Sequence, residues 1–172
     1  MKDERWFDPV DPGSTMALDL LVDAVREARP PIVHADGLTM ARYSGDFESA
    51  SLALALELAA QRISVLHRHV LSDLLAVEGL PIAQRAVVFD VWSADAAAAL
   101  MARDAAHAAH LPWRIAVVER GDDVLLLMPR RGAVARPNVQ GVDTTRRWTD
   151  RLQACIANVV SVEPLLPGVG SS

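Results

Sequence analysis

The sequence predicts an α+β fold: a two-layer sandwich with helices on one face of a mixed β-sheet, plus an extra N-terminal helix. Three observations carry this expectation. Segments with strand character alternate along the chain with segments rich in Ala, Leu, Glu and Gln at helical spacing. The last two strands, "WRIAVVE" and "DVLLLMP", are separated only by a short Gly/Asp turn, which makes a hairpin and not a crossover. Hydrophobic residues make up 51% of the 172, enough for the core of one domain, and only 5% are aromatic. Ala, Leu and Val must therefore fill that core.

The elements follow in order. Residues 1–14 are polar, carry Pro9 and Pro12, and read as an irregular arm. Residues 14–28, "STMALDLLVDAVREA", read as an amphipathic helix capped by Ser14 or Thr15 and stopped by Pro30 and Pro31. "GLTMARYS" (37–44) reads as a strand. In 45–62, Leu52, Leu54, Leu56 and Leu58 alternate as in a strand. The run is nevertheless long, lacks β-branched residues between Phe47 and Arg62, and uses the best helix formers, so it is assigned as a helix capped near Asp46 or Ser44. "ISVLHRHV" (63–70) reads as a strand, 71–81 as a short helix ended by Gly79, and "RAVVFDVW" (85–92) as a strand. Residues 93–110 read as one helix with Ser93 as N-cap. The hairpin follows, then a loop over 129–141, a last helix over 142–161 and a loose tail. The domain division is 1–37 as arm and helix, 38–161 as a single α+β domain, and 162–172 as tail.

The stretch 87–129 resembles the family known as domain of unknown function 302. Phe89 ends a strand, Leu100–Met101 end a helix, and Leu111–Pro112 open the hairpin at spacings like those of that family. The resemblance extends over roughly residues 38–160. It implies a small α/β sandwich of the TATA-binding-protein type, and it implies no mechanism.

Formal net charge is −5, from 17 basic and 22 acidic residues, which disfavours nucleic acid as a partner because phosphates need a basic face. The start of the chain has no apolar core of a secretory signal. The longest apolar run, "SLALALELAA", is too short to span a bilayer and contains Glu57, so no membrane partner and a cytoplasmic location are expected. The single cysteine, Cys155, lies on the stripe Trp148, Leu152, Cys155, Ile156, Val159 and is expected to be a buried filler, not a reactive thiol. No phosphate-binding loop, dinucleotide fingerprint or nucleophile elbow is present, no cofactor is expected, and whether the chain is an enzyme stays open.

Candidate site residues are therefore individual side chains. His67 and His69 stand two apart on a strand and share a face. Simple alternation places Ile63 and Val65 on that face too, so the histidines are expected at the rim of an apolar row. His107 and His110, three apart near a helix end, share a helical face. Convergence of these four imidazoles would make a site for zinc, copper or nickel. Arg68 lies opposite the two strand histidines and with Arg85 would grip an anion; pairing with Asp73 or Asp90 is the alternative for such an arginine. His67, His69, Arg68, Arg85 and His110 form the expected ligand-binding set.

The hairpin strands are apolar on both faces: Val124, Leu126 and Met128 against Leu125 and Leu127, and Ile115 and Val117 against Ala116 and Val118. The second face needs a cover, either the N-terminal helix or a second copy of the chain. The function expected is a non-enzymatic module that binds a small ligand or a protein and acts as a homodimer. The alternative is a metal-dependent protein or enzyme using the four histidines.

Overall fold

A computed structural model describes residues 32–35, 37–129 and 142–161. In chain order the elements are β1 (Ile32–Ala35), β2 (Leu38–Tyr43), α1 (Phe47–Ala60), β3 (Ser64–Val70), α2 (Leu71–Val77), β4 (Ala86–Trp92), α3 (Ala94–Met101), a 3₁₀ turn (Ala105–His110), β5 (Trp113–Arg120), β6 (Asp123–Pro129) and α4 (Val142–Ser161). The expected N-terminal helix, the loop over 130–141 and the tail lie outside the described residues.

The six strands form one sheet in the order β1-β2-β6-β5-β4-β3. Every pairing is antiparallel, where the sequence reading expected a mixed sheet. The reason is connectivity. β3, β4, β5 and β6 lie side by side in chain order, and each connection, helical or not, returns the chain beside the strand it has just left. β1, which follows Pro31 and escaped the sequence reading, pairs with β2 across a turn where Gly37 adopts φ +72°.

Local chemistry explains the helix boundaries. Asp46 caps α1 by accepting from the Ser49 amide at 2.7 Å, which holds the Asp46 carboxyl below its ordinary range. Ser93 caps α3 by accepting from the Ala96 amide. Residues 93–110 do not form one helix. Asp104 accepts from the Ala106 amide at 2.8 Å, so a new cap interrupts the segment and a 3₁₀ turn begins. Gly121, at φ +58°, occupies the first central position of the two-residue β5–β6 turn.

One face of the sheet packs against α1 and α4. Leu54 and Leu58 of α1 and Leu152 and Ile156 of α4 join Val87, Val91, Ile115, Val117 and Leu126 in a single buried cluster. Trp113 and Trp148 meet edge to face within it, with ring centroids 5.6 Å apart. α4 is also fixed to β2, where Gln153 Nε2 donates to the fully buried Thr39 Oγ1 at 3.3 Å. On the other face, Met40 and Leu125 are 2% and 1% exposed within a single chain. Of the second face of the hairpin, Leu125 is buried in a single chain, while Ala116, Val118 and Leu127 are half-buried.

Two predictions follow from this core. Leu54→Ala is expected to destabilise the fold by about 2–5 kcal/mol in urea unfolding, because it opens a cavity in the helix–sheet layer. Leu52→Ala, on the exposed side of the same helix, is expected to change stability by less than about 0.5 kcal/mol. Cys155 is buried on the expected stripe, and burial pushes its thiol pKa up to about 11. A thiol reagent should label it slowly under native conditions and rapidly in denaturant; fast native labelling would contradict the burial.

Candidate functional site

β3 is an edge strand, and its pairing with β4 contains an irregularity that redistributes its side chains. Val65 stands opposite Val91 and His67 opposite Asp90, so β3 advances two residues while β4 advances one, and Leu66 is the extra residue of a bulge. The bulge inverts the alternation. Val65 shares the helix-covered face with Val91, whereas His67 and His69 share the opposite face with Asp90. The expected continuous row of Ile63, Val65, His67 and His69 therefore does not exist.

The two histidines do share a face, with ring centroids 5.8 Å apart. His69 Nε2 lies 2.9 Å from Asp90 Oδ2. A carboxylate only accepts, so Nε2 carries the proton in this pair. Arg114, opposite Asp90 on β5, places Nε 3.4 Å from Asp90 Oδ1. Asp90 is 7% exposed and so bridges three strands from an almost buried position. The sequence suggests Asp90 only as a partner for an arginine such as Arg68. Its actual partners come from two other strands, which spacing along one strand cannot reveal.

Arg68 does lie on the face opposite the histidines, with its guanidinium 5.9 Å from the centre of the Phe89 ring. Arg85 is held by carboxylates: Nε and Nη2 donate to Glu119 at 2.9 and 2.7 Å, Nη1 donates to Glu48, and the group sits 4.8 Å over the Phe47 ring. Its partners are thus Glu119 and Glu48, where the sequence suggested Asp73 or Asp90. The hydrogen bond from Arg85 holds the Glu119 carboxyl below its ordinary range and raises the guanidinium pKa in return. The pair ties the start of β4 to the end of β5 and to the first turn of α1.

His107 and His110 lie on the 3₁₀ turn, where residues three apart eclipse, and their rings are 6.2 Å apart. The structure keeps the histidines as two separate pairs. Among the described residues, no group of three or more His, Cys, Asp or Glu side chains is placed to hold a metal ion, which corrects the alternative reading of four converging imidazoles. The pairs sit on different elements, and nothing in their spacing specified how those elements pack.

A cleft of about 280 Å³ lies away from all of these residues, between α1 and α4 over the end of β2. Tyr43, Ala53, Leu56, Glu57, Ala60, Asn158 and Val159 line it. Glu57 Oε1 accepts from Gln61 Nε2 at 3.0 Å and from Asn158 Nδ2 at 2.8 Å. Sequence reading missed this site because Glu57 and Asn158 are a hundred residues apart and meet only through helix packing.

The acidic response of the fold follows from the Arg85–Glu119 pair. A carboxyl held below its ordinary value of 4.5 contributes stability that is fully present above that value and is lost as pH falls through the lower folded value. Glu119→Gln should therefore lower the unfolding temperature at neutral pH, and the difference from the parent should shrink as pH is taken progressively below 4.5. A difference that stays constant over that range would show that the carboxylate charge plays no part.

Comparison with known proteins agrees with this architecture. The model of the family described as Domain of unknown function DUF302 matches residues 40–159. The crystal structure of an uncharacterized conserved protein DUF302 from Bacillus stearothermophilus is similar, with a TM-score of 0.62 and 18% identity over 71% of this chain and 97% of that chain. At that identity the likeness is one of fold. No curated protein matches the chain.

Proposed function

The chain belongs to the DUF302 family, and from its own surface we propose that it is a non-enzymatic protein-binding module that works as a cytoplasmic homodimer. The observation that carries this reading is the run of exposed aliphatic side chains between Val65 and Ile82. α2 has no buried residue, and Leu66, Leu74, Val77 and Leu80 are 47–84% exposed. Monomeric proteins scatter such residues singly; a concentration of them marks an interaction surface. The same segment includes β3, whose outer edge presents backbone N–H and C=O groups that no described strand pairs.

An open strand edge beside an apolar helix suits addition of another strand. A second copy related by a two-fold axis supplies that strand in antiparallel sense, and two-fold homodimers are the commonest soluble oligomers. His67, His69 and Arg68 then form the polar part of the interface, on the two faces of the pairing strand. Among the described residues no helix is long and apolar enough to cross a membrane, so a protein surface is the partner favoured for these side chains.

Light scattering at micromolar concentration tests this reading. The parent is expected to scatter as a dimer. The double variant Leu74→Glu/Val77→Glu, exposed in the single chain and harmless to its core, is expected to scatter as a monomer with unchanged circular dichroism. A parent that is monomeric throughout, or a variant that remains dimeric, would overturn the assignment.

A further inference from the structure

The cleft between α1 and α4 contains an unusual charge. Glu57 carries the only formal charge among the described residues that line it; the remaining lining side chains are aliphatic apart from Tyr43 and Asn158. Both groups that hydrogen-bond Glu57, the Gln61 and Asn158 amides, are neutral. They fix the carboxylate's orientation without cancelling its charge. Among the described residues Glu57 has no ion-pair partner. The neighbouring cation on α4, Arg151, donates instead to the Gln61 carbonyl and lies 6.0 Å from the Trp148 ring centre.

The cleft wall is also pre-formed. Tyr43 is buried at the end of β2, and Gly45 lies so close that a Cβ there would stand 2.6 Å from Tyr43 Cε1. The ring therefore occupies space that only glycine leaves free. Ala53 and Ala60 are small residues facing the gap, and Leu56 and Val159 supply aliphatic surface.

We propose that this cleft binds a small organic cation, an alkylammonium with a short aliphatic body, its charged head on the Glu57 carboxylate. An oriented carboxylate in an apolar cleft attracts a cation more strongly than one in open water does, because the low-dielectric walls weaken screening. The aliphatic lining offers an alkyl body a contact that a hydrated inorganic cation cannot use, which favours the organic cation. The volume is just under the range usual for small-molecule pockets, which favours a short body. None of the lining residues belongs to β3 or α2, so the inference stands independently of the dimer.

The test is a nuclear magnetic resonance titration of the full chain with butylammonium chloride, with butanoate and butanol as probes of the same body and different charge. Saturable shifts are expected at Ala53, Leu56, Asn158 and Val159 with butylammonium, at least tenfold weaker with butanol, and none with butanoate. Glu57→Gln keeps the side chain's shape and its acceptor oxygen, and should weaken butylammonium binding at least tenfold while leaving butanol binding unchanged. Ala53→Phe, one turn before Glu57 on the same face of α1, fills the cleft and should abolish both. Equal binding of butylammonium and butanol, retention of butylammonium binding in Glu57→Gln, or no localised shift with butylammonium in the folded parent would each overturn the proposal.

Discussion

The packing of α1 and α4 onto one face of an antiparallel sheet is the interaction on which the rest of this structure depends. Leu54, Leu58, Leu152 and Ile156 reach the sheet from the helices, and Val87, Val91, Ile115, Val117 and Leu126 meet them from alternate strand positions. Alternation in the strands and 3.6-residue spacing in the helices have to agree for this layer to close. Once it closes, the side chains at its border are constrained in turn. Gln153 of α4 donates to the buried Thr39 of β2, and residues of α1, α4 and β2 together line the cleft beside Tyr43.

Polar groups mark where this layer ends. Arg85 joins Glu119 and Glu48 at one corner, where β4, β5 and α1 meet. Asp90 joins His69 and Arg114 across three strands on the opposite face. Arg42 and Asp123 pair at 2.6 Å across β2 and β6. Apart from Arg85–Glu48, which reaches α1, each contact links strands that hydrogen bonding already aligns, so these reinforce register more than they create it. β3 stands apart. Among the described residues it is paired on one side only, its central residues are exposed, and the helix that follows it buries nothing. The least covered part of the described chain is therefore contiguous in sequence, which a marginal core residue here and there would not produce.

Much of the architecture was legible without coordinates. The order of strands and helices from residue 38 onward, the bounds of α4, the hairpin and the buried stripe through Cys155 all follow from local pattern, since each depends on neighbours within a few positions. α1 was legible despite its alternating leucines because the absence of β-branched residues outweighed the period of two. The segment 93–110 was misread as continuous because Asp104 competes as a cap inside a run of alanines, and alanine-rich spacing does not register one capping side chain. The candidate site was less accessible. His67 and His69 were correctly placed on one face, but the bulge at Leu66 moved them away from Val65, and Asp90 was not identified as the partner of His69.

The difference between these two groups of features is physical. Secondary structure, amphipathic faces and capping depend on residues within one or two turns, so a single chain read in order contains them. Strand order, register and helix docking depend on free energies summed over contacts between distant segments, and those sums have no local signature. Composition and periodicity thus decided that this chain would form a two-layer α+β sandwich built mainly from aliphatic residues. Only the tertiary structure decided that the sheet is antiparallel throughout, that Leu66 bulges, that Arg85 pairs with Glu119, and that Glu57 meets Asn158 across a cleft, because each of those outcomes joins groups whose proximity exists only after the helices and the sheet have packed.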